Sequence, residues 1–131
     1  MQLFTQYKEM IKKYLVLDYA QQCPTVIVTL KNGSLALVGY LQGMYQTSDL
    51  INGKQSWTSH SYAVWYNLEY DVWLIGTLEN IGSAVGTIYA FNDNEGLDDT
   101  SNQWNYWYES SWISANANEI SINCTSKNIF N

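Results

Sequence analysis

No arginine occurs among the 131 residues of this sequence. Without a guanidinium there is no planar donor fork to clamp a phosphate or a carboxylate. Charged residues make up only 14% and the net charge is −6. Nucleic acid is held by clustered cations, so it is excluded as a partner. A single histidine, His60, rules out a multi-histidine or Cys/His zinc set. A Ser–His–acid triad would need His60 as its base, yet no Gly-x-Ser-x-Gly elbow is present. Glu69 and Asp71 share one loop, whereas glycoside hydrolysis needs two acids facing each other across a cleft. The chain is therefore read as non-enzymatic and without a cofactor. No apolar run approaches the roughly 20 residues that cross a bilayer, so no membrane span is expected. Residues 1–22, MQLFTQYKEMIKKYLVLDYAQQ, lack the apolar h-region and small-residue cleavage site of a signal peptide. The expectation from that segment is an intracellular protein or a mature form.

What the sequence does hold is aromatic. Tyrosine (11) and tryptophan (6) far outnumber phenylalanine (3). Rings with a polar tip suit half-wet positions such as sheet faces and interfaces. Over residues 1–22, Leu3, Phe4, Tyr7, Ile11, Tyr14 and Leu15 recur at three- and four-residue spacing, which predicts an amphipathic helix. Its stripe packs on the chain's own sheet or joins subunits, a homo-oligomer through residues 3–17. From residue 24 the period falls to two, and only one proline interrupts the chain. Predicted strands are TVIVTL (25–30), SLALVGYL (34–41), SYAVWY and DVWLIG within 61–76, AVGTIYAF (84–91), QWNYWYE (103–109), SWIS (111–114) and EISINC (119–124). Asn32-Gly33 reads as a hairpin turn, and residues 43–53 as a polar loop. The fold class is thus mainly β: one antiparallel sandwich or barrel-like meander of seven or eight short strands, preceded by one helix. The organisation is an N-terminal helix (1–22), a β domain (23–124) and a polar tail (125–131).

The stretch NGKQSWTSHSYAVWYNLEYDVWLIG (52–76) concentrates three tryptophans and three tyrosines around His60. With Asn67–Tyr70 as a four-residue loop and Tyr66 opposite Asp71, one side carries Tyr62, Val64, Trp73 and Ile75. The other carries Ala63, Trp65, Val72 and Leu74. A hairpin with one wet face would alternate apolar with polar, and this one does not. These rings are expected to be core, and His60 a bystander.

In residues 104–109, Trp104, Tyr106 and Tyr108 share the core-like face, and Asn105, Trp107 and Glu109 the other. An indole flanked by an amide and a carboxylate suits a sugar ring or the rim of a protein interface. The competing reading is Trp107 tucked under a loop. Trp107, Asn105, Glu109 and Trp112 are the candidate ligand-binding residues. The loop 92–99 holds the metal candidates Asp93, Glu95, Asp98 and Asp99, oxygen donors of the kind Ca²⁺ takes. Phe91 falls where an EF-hand has its first ligand, and the loop is expected to be a solvated connection.

Cys23 and Cys124 bracket the β region, and position alone leaves either a disulfide or two buried thiols. Two sequons, Asn32-Gly33-Ser34 and Asn123-Cys124-Thr125, fit an extracellular life. The order of motifs carries more. A cysteine precedes the first strand, then come Gly43-Met44-Tyr45, Asn52-Gly53 with Trp57, Tyr62 with Trp65-Tyr66, and Trp73-Leu74-Ile75-Gly76. Trp104-Asn105-Tyr106-Trp107, Trp112 and a terminal Ile120-x-Ile122-x-Cys124 close the series. This resembles a little-characterised Tyr/Trp-rich β module of multidomain, often extracellular proteins of invertebrates and protists. The resemblance covers residues 23–124 and departs at Lys54-Gln55, where such modules often read Arg-Pro. It implies binding, adhesion or a structural role, and an oxidised Cys23–Cys124 pair. The expected function is an extracellular or secreted recognition module for a glycan or protein. The alternative is a structural subunit of a filament or larger assembly, joined through the N-terminal helix.

Overall fold

The structure, a computed structural model, describes residues 23–92, 96–98 and 101–125. The predicted N-terminal helix with its oligomer-forming residues 3–17, and the tail from 126, lie outside the described residues. Nine antiparallel strands form one curled sheet, a half-barrel. They are β1 (Thr25–Leu30), β2 (Gly43–Ile51), β3 (Lys54–Ser59), β4 (Tyr62–Asn67), β5 (Val72–Thr77), β6 (Ile88–Phe91), β7 (Asn105–Tyr108), β8 (Ser111–Ser114) and β9 (Ile120–Cys124). The spatial order is β8-β7-β6-β5-β4-β3-β2-β1-β9, a meander whose last strand returns to the first. Chain length makes the curl obligatory. Nine flat strands at ~4.8 Å spacing would hold β8 and β9 about 38 Å apart. The link between them, residues 115–119, reaches about 21 Å when fully extended. No helix among the described residues is long and apolar enough to cross a membrane.

The concave side holds the main core, with Val26 and Val28 of β1, Tyr45 of β2 and Trp57 of β3 meeting Ile88, Tyr106 and Ile122. A short helix adds Val38 to this core and lies near β7. Residues 34–41, predicted as a strand, instead form α1 (Asn32–Val38) and a 3-10 turn (Gly39–Leu41). Apolar runs this short do not decide helix against strand, and here a distant residue decides. Glu119, buried, accepts the Ser34 backbone N–H at 2.7 Å and the Asn116 N–H at 2.8 Å. Its own carbonyl accepts the Lys31 N–H at 2.9 Å. The carboxylate on the orphan N–H of Ser34 does for α1 what a local cap would do, and Lys31 supplies none. Glu119→Gln would aim an NH₂ group at a backbone donor. It is expected to cost about 2 kcal/mol in urea denaturation, against under about 0.5 for Glu109→Gln on the surface.

The hairpin turn falls at the other Asn-Gly pair. Asn52 (φ 55°) and Gly53 (φ 84°) both take positive φ and close β2 on β3, as a tight two-residue turn requires. The predicted loop 43–53 is therefore mostly strand. The β4–β5 hairpin keeps the expected faces with the pairing displaced by two residues: Tyr66 faces Trp73 and Val64 faces Ile75, around the loop 68–71. Because side chains alternate with period two, this shift leaves each residue on its face. Val64, Tyr66, Trp73 and Ile75 enter the concave core. Ala63, Trp65, Val72 and Leu74 form a second cluster on the convex side. Residues 78–87 cover that cluster, and Trp65 Nε1 donates to the Ser83 carbonyl at 2.9 Å. A Cβ at Gly86 would lie 2.8 Å from Leu74 Cδ2, so glycine allows the cover to settle. This is why the predicted strand 84–91 begins only at Ile88.

Cys23 and Cys124 form a disulfide with Cα atoms 5.3 Å apart. Trp57 Nε1 donates to the Cys23 carbonyl at 3.0 Å, tying the bridge to the core. A disulfide is compatible with an extracellular location.

Candidate functional site

β7 alternates as its sequence demands. Trp104, just before it, and Tyr106 are buried, while Asn105 and Trp107 face outward. β8 does the same, with Ile113 packed on the core and Trp112 and Ser114 outside. The two strands pair Trp107 with Trp112 and Asn105 with Ser114. Trp107 and Trp112 lie 5.1 Å apart at 66°, and Trp112 meets Tyr89 of β6 edge-on at 4.7 Å and 89°. Tyr89 in turn meets Phe91 at 5.5 Å. Four rings thus make one strip on the convex face. Trp107 is 43% exposed, Trp112 45% and Phe91 52%. Tyr89 is half-buried and joins the strip to the cluster around Trp65.

The polar neighbours are few. The Ser114 hydroxyl donates to Asn105 Oδ1 at 3.0 Å, and the Asn105 amide donates to the Gln103 carbonyl at 3.5 Å. Glu109 departs from its predicted place on the Trp107 face. It takes φ 49° and Ser110 φ 67°, a two-residue turn that ends the alternation at Tyr108. Tyr89 and Phe91 were not candidates from sequence. Their spacing in IYAF puts them on one face, but only the β6–β7 register carries that face to Asn105.

Of the metal candidates, Asp93, Glu95 and Asp99 lie outside the described residues, and Asp98 is exposed. Among the described residues no group of three or more His, Cys, Asp or Glu is placed to hold a metal ion. The loop is anchored by Leu97, which is buried, and by the Asn102 amide donating to the Gly96 and Leu97 carbonyls. His60 is exposed in the β3–β4 turn with φ 50°, and no described serine or carboxylate hydrogen-bonds to its ring.

A second polar group, not foreseen, locks the β4–β5 hairpin end. The Tyr66 hydroxyl donates to Asp71, and the Asn92 amide donates to the same Asp71 oxygen at 3.3 Å. Trp73 Nε1 donates to Asn92 Oδ1 at 3.2 Å, and Lys54 Nζ stands 5.1 Å from the Tyr66 ring centre. The Tyr66 hydroxyl, then the Asn92 amide, hold Asp71 below the usual carboxylate range. The same bond to Asp71, with burial, pushes Tyr66 up. These bonds tie the hairpin end to Asn92, just past β6, so this cluster is structural. The ring strip is an aromatic surface on which Trp107, Trp112 and Phe91 stay exposed. Comparison with protein-family models, with curated proteins and with solved structures finds no match for this chain.

Proposed function

We propose that this chain is an extracellular, non-enzymatic recognition module whose partner is a protein, bound on the convex strip around Trp107 and Trp112. The observation that carries the reading is the Trp107–Trp112 cross-strand pair, nearly half exposed at the end of a four-ring strip. Indoles concentrated on one bare face are the usual anchors of protein interfaces. Ring orientation favours protein over glycan. Stacking on a sugar suits a flat platform, whereas Trp112 is set at steep angles to both Tyr89 and Trp107, which makes the strip an angled ridge. The hydrogen-bonding groups beside it, Asn105 and Ser114, already bond each other, and Glu109 has left the face. The Cys23–Cys124 bridge and the resemblance to extracellular Tyr/Trp-rich β modules support the location.

The test is binding of the labelled full chain to arrays of secreted and cell-surface proteins and of glycans, with Trp107→Ala/Trp112→Ala as comparison. Protein hits are expected to weaken by about 100-fold or more in the double variant, as for paired hot-spot residues. Hits on glycans alone would remove the protein partner, and hits indifferent to the double variant would remove the site.

A further inference from the structure

Among the described residues β8 has one neighbour, β7, and no strand pairs with its other edge. The hydrogen-bond phase says which residues that edge offers. Ala115 N–H bonds the Trp104 carbonyl at 3.0 Å, and Trp107 N–H turns the other way, to Thr87 O of the segment before β6, at 2.8 Å. In an antiparallel ladder the phase alternates, so the Trp107/Trp112 and Asn105/Ser114 pairs do not bond each other. The N–H and C=O groups of Trp112 and Ser114 therefore point out of the sheet, with no ladder partner among the described residues. Edge strands are ordinarily guarded by shortness, lysine, proline or a bulge, and of these β8 has only its four-residue length. Ser111–Ser114 reads SWIS, and its register with β7 is unbroken.

We propose that this edge takes up an extended, basic peptide segment of the partner protein as a tenth strand, which gives the protein-recognition reading its mode of binding and rests on it. Free backbone groups at alternate residues match a strand's repeat. The basic character follows from charge. The chain holds twelve acids against six lysines, and of those lysines Lys31 and Lys54 fall among the described residues. Lys54 lies on β3, five strands from β8, and Lys31 just past the end of β1. Glu109 sits at the β7–β8 turn, at one end of this edge. A side chain opposite Trp112 on the new strand would stand about 5 Å from it, where a lysine or arginine gains from the ring. A second copy of the chain fits worse, since it would bring the same −6 charge and a β8 with no cation.

The probe is a capped (Lys-Val)₄ peptide titrated against the full chain by tryptophan fluorescence and calorimetry. Saturable binding is expected, weakened at least about tenfold when the peptide is N-methylated at alternate residues, which keeps charge and removes donors. Ser114→Pro should weaken it as much, because the N–H it deletes serves no bond in the β7 ladder and proline is tolerated at such an edge position. The N-methylated peptide keeps the test independent of whether that variant folds. No binding of (Lys-Val)₄, or equal binding of its N-methylated form, overturns the proposal. So does a wild-type dimer that Ser114→Pro converts to monomer, which would give the edge to a second copy. Array hits that survive Ser114→Pro but fail with Trp107→Ala/Trp112→Ala would overturn the added strand and leave protein recognition standing.

Discussion

Replacing Cys23 and Cys124 together with alanine is expected to lower the unfolding free energy by about 4–5 kcal/mol, the chain-entropy value for a loop near 100 residues. The bridged residues are 101 apart in sequence, which places the pair at the strong end of that scale. Geometry adds a reason for the loss to be local first. Among the described residues β9 is held by one ladder, to β1, and the bridge fastens the end of that ladder where Val26 faces Cys124. Without it, β9 can peel from Cys124 back toward Ile120 while the β1–β8 meander persists. Hydrogen exchange should show protection falling first across Ile120–Cys124, with urea denaturation giving the global figure. Reduction should raise the mass of the native protein by about 2 Da. An unchanged mass, or a double variant as stable as the parent, would remove the bridge from the account.

Trp65→Ala should cost about 4 kcal/mol, in the range for deleting a buried indole. Trp65 is fully buried on the convex side, and three things hold it there. Its Nε1–H satisfies the Ser83 carbonyl, its ring lies where a Cβ on Gly76 would meet it at 3.2 Å, and residues 78–87 close over it. Alanine leaves a void and an orphan carbonyl together, so the cover should loosen as well as the core. Trp107→Ala is the contrast, expected below about 1 kcal/mol because that ring is nearly half in water. Similar losses at the two positions, read by urea denaturation, would mean that the convex strip is core after all.

Two-sided burial in the β4–β5 hairpin was legible because both alternating sets in SYAVWY and DVWLIG are apolar, a pattern insensitive to the exact pairing. The alternation of Trp104 to Trp107 was legible for the same reason, as were the mainly β class and the meander. Four features were not. SLALVGYL becomes α1 through Glu119, 85 residues from Ser34, and no window of local sequence contains that bond. β2 is polar on its wet face and slips register between Thr47 and Leu50, so it lacks the apolar repeat that marks a strand. Removing one predicted strand and gaining β2 and β3 gives nine in place of eight. The ring strip needed the pairing of β6 with β7 and of β7 with β8, so Trp107 and Trp112 could be named without Tyr89 and Phe91. Glu109 was misplaced because a two-residue turn with positive φ at Glu109 and Ser110 leaves no mark as plain as Asn-Gly.

The 5.3 Å between the Cα atoms of Cys23 and Cys124 has a meaning beyond stability. Residues 23 and 124 are the entrance and exit of the whole sheet, and they coincide. A polypeptide can therefore carry this unit as a bead on a single point of attachment. It could be spliced into a surface turn of a host domain without prising the host's strands apart, and its own ends could be rejoined elsewhere around the sheet at little cost. A fold that enters and leaves by one door is suited to being repeated, inserted and displayed.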